Sequence, residues 1–504
     1  MNQRKAGAVL SYVGFLISNI VSLIYTPYML QLMGQSEYGL YGTASSMTSY
    51  LSLLGFGIGG AYLRYNARCR AQHDIEEERR VNGSFLLIFS VLSVLVLLCG
   101  AGLLAFADNL VEETFTSQEI YRLRIIMALG IFNMALTFLF NTVMMAIQAY
   151  ERYVFLQIVH LIAGIATPAI NLLVLLNGGR AVALSVVSLS LSVACFLIYF
   201  VYAWKLLDFR ITIRGIKLGF LKEIFVFSSF LFLNSITDQI TNATDNVILG
   251  AVKGTVAVAI YTVGANFRNY FLSFSTAISN VFSTRVNLIA TGNNSDAELS
   301  DLFKRVGRIQ FYVLSLLLIG YIFIGHDFVC IWAGKDYSEA YTIGLLLMLS
   351  VFVPLFQNTG LEIQKAKNKH KARSIVYLLI AVANVCVTIP VAKQFGGIGA
   401  AFVTMVCMIL GNGVFMNWYY AKHIGLDIAG FWKSICSILP GMILPVGVGI
   451  AISRFWNLDS YGDILLAIAL MTGVYCLSVW LFSMNDYEKQ LVAQPIKRIL
   501  RRNK

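Results

Sequence analysis

GQSEYGLY, residues 34–41, is answered by GTVAVAIY at residues 254–261. The two share only their first glycine and last tyrosine, but each follows an apolar run on its way out of a bilayer. Three further echoes keep the same order at an offset of about 220 residues. Arg64-Tyr-Asn66 pairs with Arg285-Val-Asn287, Ile147-Gln148 with Ile363-Gln364, and GGRAVAL (178–184) with GGIGAAF (396–402). Each match alone is weak; four in order point to a chain built from two halves of like orientation, the layout of a transporter that rocks between two access states.

The composition says which solvent surrounds those halves. Of the 504 residues, 58% are hydrophobic and 13% charged, with a mean hydropathy of +0.72. A water-soluble chain could not hide that much apolar surface, so this is an all-α integral membrane protein. About fourteen apolar stretches are long enough to span. They divide into a six-helix lobe (1–205), a cytoplasmic linker (206–222), a second six-helix lobe related by a pseudo-two-fold (223–425), two additional helices (426–485) and a basic tail (486–504). The stretch after MNQRKAGAVL runs on to about Leu32 without a small-residue cleavage site, and reads as the first span instead of a removable signal.

The net charge of +12 does not point to nucleic acid, because of where it sits. With the N-terminus cytoplasmic, most Lys and Arg fall on inner stretches, in clusters such as ARCRAQHDIEEERR (67–80), KAKNKHKAR (365–373) and PIKRILRRNK (495–504). The outer breaks are neutral or acidic, as in ADNLVEETFTSQE (107–119). This positive-inside bias also puts the C-terminus in the cytoplasm, and Trp204, Trp332, Trp418, Trp432 and Trp456 fall near the expected interfaces. The eight cysteines contain no CxxC pair, which argues against a disulfide framework or a metal site. No Walker A, HExxH or GxSxG sequence is present, so no enzyme, ATPase or cofactor is expected. Coupling to H+ or Na+ is the candidate drive.

One stretch holds polar residues where lipid would reject them: LNSITDQITNATDNVILGAVKG, 233–254. On a helix, Asn234, Ser235, Asp238, Thr241, Asn242 and Asp245 share one face, opposite Ile236, Ile240, Ala243 and Val247. A carboxylate at mid-membrane costs at least a few kcal/mol unless paired, protonated or hydrated, so the stripe is expected to line an interior cavity. Arg268 lies roughly twelve residues below the next turn, about 18 Å, at a level between Asp238 and Asp245 and flanked by Asn266 and Asn269. It reads either as a structural partner of the aspartates or as an anion site, with the aspartates tuning it, gating, or carrying a coupling ion. Arg64 and Arg285 occupy matching inner helix ends, as snorkelling residues or as an inner mouth. Asn19 gives the first helix a small polar face. His160 and Glu362 are weaker candidates for proton coupling; a satisfied imidazole and a surface ion pair explain them as well.

MGQSEYGLYGTAS (33–45), LGFGIGGAYLRYNAR (54–68) and FVCIWAGKDYSEAYTIGLLLML (328–349) resemble the O-antigen and capsule repeat-unit flippases of the multidrug/oligosaccharidyl-lipid/polysaccharide exporter superfamily. The motifs are the Gly34-x-x-x-Tyr38-Gly39-x-Tyr41 turn and the Trp332-x-Gly334-x-x-Tyr337 turn, and the resemblance covers about residues 1–485. It implies two lobes around a central cavity, lined by the first, second, seventh and eighth helices. It also implies movement of an undecaprenyl-pyrophosphate-linked oligosaccharide from the cytoplasmic to the outer leaflet of a bacterial cytoplasmic membrane. On that resemblance Asn19, Arg64, Asp238, Asp245, Arg268 and Arg285 line the cavity, arginine holds the pyrophosphate, and Asn groups and Tyr270 bind sugars. The expected partners are the lipid-linked oligosaccharide, membrane lipid and other polysaccharide-assembly membrane proteins. The two aspartates depart from a purely cationic lumen and leave room for ion coupling. Rival readings are a cation-coupled drug exporter of the same superfamily, a membrane-embedded polymerase or ligase, and an inert scaffold.

Overall fold

The computed structural model describes residues 3–55, 58–207, 209–212, 235–236, 239–241, 243–290, 295–367, 369, 371–491 and 493–494. Among these there is no strand. Ten helices are long and apolar enough to cross a membrane. One of them, Arg373–Ile424, has 52 residues, about 78 Å of helix and more than two bilayer cores. It is broken at Gly396 (φ 60°, ψ −142°), so it crosses twice. The other expected crossings are not among the ten: Gln35–Ser49 with Ile58–Ala71, the stretch ending at residue 253, and Thr255–Ala290. Gln35–Ser49 and Ile58–Ala71, at 15 and 14 residues, are each too short to span alone. Thr255–Ala290 has 36 residues, but it carries Asn266, Arg268, Asn269 and a run of Ser and Thr.

The chain divides into two compact units, Met1–Thr262 with Tyr377–Ala400, and Val263–Val376 with Ala401–Lys504. In the first, α1 (Gln3–Met33) packs on α6 (Tyr153–Leu176), α4 (Ile75–Val111) on α5 (Ser117–Ala149), and α5 on α7 (Ala181–Leu206). α2 (Gln35–Ser49) and α3 (Ile58–Ala71) lie against α5. Tyr62, Phe85 and Phe89 are fully enclosed, with Phe140 stacked on Phe196 and Phe155 on Tyr202. Helix starts are capped as their sequences ask: Asp74 accepts from the Glu77 N–H, and Thr116 and Glu119 form a reciprocal capping box. Residues 243–253 form α8, and α9 (Thr255–Ala290) starts in this unit.

In the second unit α10 (Ser295–Trp332) is the hub. α11 (Glu339–Phe356), α15 (Ile428–Cys436), α16 (Ile443–Phe455) and α17 (Tyr461–Phe482) all pack on it. Phe303, Phe356, Phe431 and Trp432 cluster beneath them. α12 (Asn358–Ala366) follows Pro354 and the kink at Gln357. α13 (Lys371–Met408), whose residues 377–400 belong to the first unit, runs into π-helical turns at Ile409–Phe415 and Tyr420–Ile424 on either side of α14 (Met416–Tyr419).

The repeat has a backbone cause. Gly34 (φ 79°) and Gly254 (φ 83°) both enter the left-handed region, and so do Gly178 (φ 83°) and Gly396 (φ 60°). A Cβ is costly there, so glycine persists at these turns while the side chains around it diverge. Ile147 and Ile363 are both fully buried. Gly39 serves a different need: a Cβ on it would overlap the Thr255 carbonyl oxygen. Gly39→Ala should therefore destabilise by about 1–3 kcal/mol, read as a fall in melting temperature. Gly60→Ala, with open space around it, should stabilise or leave it unchanged.

Candidate functional site

The polar side chains of the first unit are concentrated where α2 meets α8 and the start of α9. α2 carries TASSMTSY (43–50), a run of small and hydroxyl residues that lets helices approach closely and bond sideways. Ser46 accepts from the Asn246 amide at 3.0 Å, Ser49 accepts from Gln239, and Tyr50 shares a hydrogen bond with Thr244. Toward the Gly34 and Gly254 turns, Ser36 donates to Glu119 at 2.6 Å and Thr255 donates to the same carboxylate oxygen at 3.0 Å. Ser36 and Thr255 are themselves 3.4 Å apart, and Thr114 donates to the Gly250 carbonyl at 2.7 Å. Such bonds in membrane proteins contribute about 0.6 kcal/mol each on average. The result is a zipper of several weak closures, strong together and separable in sequence.

Two buried carboxylates border it. Asp245, 4% exposed, accepts a hydrogen bond from the hydroxyl of Tyr261, the tyrosine that ends the repeated turn. Glu37, 5% exposed, accepts from Arg122, lies 3.9 Å from Arg180 and takes the Ala181 N–H at 3.3 Å, at the first turn of α7. A buried carboxylate with two cations and a helix N-terminus around it is well compensated.

The residues singled out from the sequence scatter more widely. Asn234, Asp238 and Asn242 lie outside the described residues. Arg268 is buried on α9 at 5% exposure, in the second unit. Asn266 and Tyr270 beside it are half-buried, Asn269 is exposed, and the Tyr270 ring meets Phe267 edge-on. Arg64 and Arg285 are both exposed, on α3 and α9. Asn19 turns its amide back onto the Phe15 carbonyl of its own helix, at 2.7 Å. Glu362 is paired with Lys365 at 2.9 Å, the surface ion pair that the sequence allows. His160 is exposed beside Tyr199, so a buried, satisfied imidazole does not describe it.

Several groups carry more structure than the sequence reading gave them. Glu37 is one, inside a turn read only for its glycines and tyrosines. Asn66, fully buried, bonds Tyr62 at 3.2 Å and Glu78 at 3.4 Å, while Tyr62 donates to Asn82 and Asn82 to the Arg210 carbonyl. A third is the Arg308–Glu488 pair. Its guanidinium also donates to Ser434, Ser437, Tyr312 and Ser483, tying α10 to α15 and to the segment after α17. The sequence signal was slight, an Arg four residues before a Tyr in a helix that already carries Lys304 and Arg305. Among the described residues no cluster of His, Cys, Asp or Glu could hold a metal ion.

These features place the chain among known proteins. It is 23% identical, over 96% of both chains, to the uncharacterized membrane protein EpsK of Bacillus subtilis. It is 21% identical, over 78% of both, to the probable flippase AglR of Haloferax volcanii. Its fold matches the lipid II flippase MurJ in an inward closed conformation, with a TM-score of 0.75 at 16% identity over 94% of this chain and 98% of that one. It also matches an inward-facing MATE-family multidrug transporter of the MOP superfamily, with a TM-score of 0.59 at 14% identity over 85% and 99%. The family profile for polysaccharide biosynthesis proteins spans residues 5–283, more than half of the sequence. A helical membrane chain with this repeat, this fold and that match belongs to the polysaccharide biosynthesis protein family.

Proposed function

We propose that this protein moves polyprenyl-pyrophosphate-linked oligosaccharide repeat units from the cytoplasmic to the outer leaflet, by alternating access and without ATP. The observation that carries the reading is α9, 36 residues long yet too polar to face lipid, with Arg268 buried on it, together with the hydroxyl-rich α2. A pyrophosphate and its sugars cannot cross hydrocarbon bare, since each unpaired polar group costs several kcal/mol. Helices of this kind replace the lost water.

In this reading Arg268 receives the pyrophosphate, whose oxygens suit a planar guanidinium fork. Asn266, Asn269 and Tyr270 serve the sugars, while Arg64 and Arg285 attract the head group at the inner mouth. Asp245, with Asp238 and Asn242, couples an ion or gates, and a membrane potential supplies about 2.3 kcal/mol per charge per 100 mV. The named flippase relative and the family match support the substrate class. Retention of lipid-linked repeat units on the inner face after loss of the gene is the expected result in cells, and normal surface polysaccharide would contradict it. The partners are then the other membrane proteins of polysaccharide assembly.

A second reading, a cation-coupled drug exporter, draws on the buried Asp245 and the MATE-like fold. It predicts resistance to cationic dyes that is lost in Asp245→Asn; the flippase reading predicts unchanged dye resistance.

A further inference from the structure

A second polar feature lies within the first unit, beside the zipper. Helices α2, α5 and α7 line a half-open cavity of about 230 Å³. Its polar wall is Ser45, Thr48, Asn133, Thr137, Ser185 and Ser188, and Tyr41 and Met134 close its apolar side. No acidic or basic residue lines it among the described residues. Ser49 belongs both to this wall and to the zipper.

Three hydroxyls of the wall have already given their protons to backbone carbonyls. Thr48 donates its hydroxyl proton to the Ala44 carbonyl at 2.8 Å, Thr137 to Asn133 at 2.8 Å and Ser185 to Ala181 at 3.0 Å. Each of these hydroxyls keeps only acceptor capacity for anything else. The Asn133 Oδ1 is buried and has no hydrogen-bond partner among the described residues. A buried acceptor left bare costs about 1–3 kcal/mol, so the chamber suits an occupant rich in O–H or N–H groups. An anion finds no positive charge here. A bare cation finds no carboxylate to balance it, and the space is far larger than one ion needs. By liquid packing the cavity holds roughly seven waters. It is smaller than the ~300 Å³ at which sites for drug-sized ligands begin. One sugar ring fits that scale, with hydroxyls for the acceptors and C–H faces for Tyr41 and Met134.

We propose that this cavity is a subsite for one uncharged, hydroxyl-rich pyranose unit. The inference deepens the transport reading and rests on it: the unit belongs to the head group being moved. Asn133 on α5 supplies its bare acceptor, and Ser188 lines it from α7.

The test is a titration of the purified full chain with methyl hexopyranosides, followed by saturation-transfer NMR. Neutral glucosides, galactosides and N-acetylglucosaminides are compared with a methyl glucuronide. At least one neutral glycoside should saturate the wild type and the glucuronide should not. Half-saturation should weaken at least tenfold in Asn133→Leu and in Ser188→Leu. Asn133→Leu also removes the bare acceptor, so its melting temperature should not fall, which separates lost binding from lost fold. No saturation by any neutral glycoside, or equal saturation in all variants, would overturn the subsite and leave a water-filled chamber. Parallel liposome assays keep the two claims apart. Lipid flipping without glycoside binding sinks the subsite alone, and binding without flipping sinks the transport reading.

Discussion

Oxidation of a Ser36→Cys/Thr255→Cys double variant is expected to stop transport, and reduction to restore it. The two hydroxyls are 3.4 Å apart, so sulfurs in their place need only a small approach to reach the 2.05 Å bond length of a disulfide. If the α2–α8 zipper opens once per cycle, a covalent bond at its end holds it shut. Transport should then fall below a tenth of the reduced sample. The eight native cysteines form no disulfide and should be replaced first. Full transport by a fully cross-linked sample would make the zipper a static seam.

The second large effect is on folding. Arg308 and Glu488 are 6% and 5% exposed, and Arg308→Ala leaves a buried carboxylate with no cation. Such a break costs about 3–5 kcal/mol, visible as a drop of several degrees in melting temperature. Replacing both partners, Arg308→Met with Glu488→Leu, should recover most of it, because the desolvated charge is gone. A double variant as unstable as the single one would contradict this. Burial pushes the Glu488 carboxyl up, but Arg308, the Asn485 N–H and Tyr312 outweigh it, and the group sits below its ordinary value. Its contribution is therefore complete above the ordinary Glu value of about 4.3 and is lost as pH falls through the lower folded value. The segment after α17 should stay docked at neutral pH and loosen only in acid.

Much of the fold was legible because the solvent writes it. Apolar runs and basic inner breaks marked the crossings, and the recurring glycines marked turns whose φ values only glycine takes readily. The site was less legible. Helical periodicity put Asp238, Thr241 and Asp245 on one face, but it could not say which neighbour that face meets. Instead Gln239 and the α8 residues Thr244 and Asn246 meet α2, while Asp245 meets Tyr261. Glu37 meets Arg122 and Arg180 across 85 and 143 intervening steps of chain, a pairing that no local pattern encodes. The acceptor-lined cavity needs three helices to exist at all, and each of its serines and threonines reads in the sequence as an ordinary membrane-helix residue.

The most direct test of the transport claim is flipping by purified protein in liposomes that carry a pyrophosphate-linked oligosaccharide lipid with the native sugars. Wild type and Arg268→Ala would be compared with and without an imposed potential. The account predicts flipping by wild type, faster under potential, and a loss of tenfold or more in a still-folded Arg268→Ala. A wild type that moves no such lipid would contradict it.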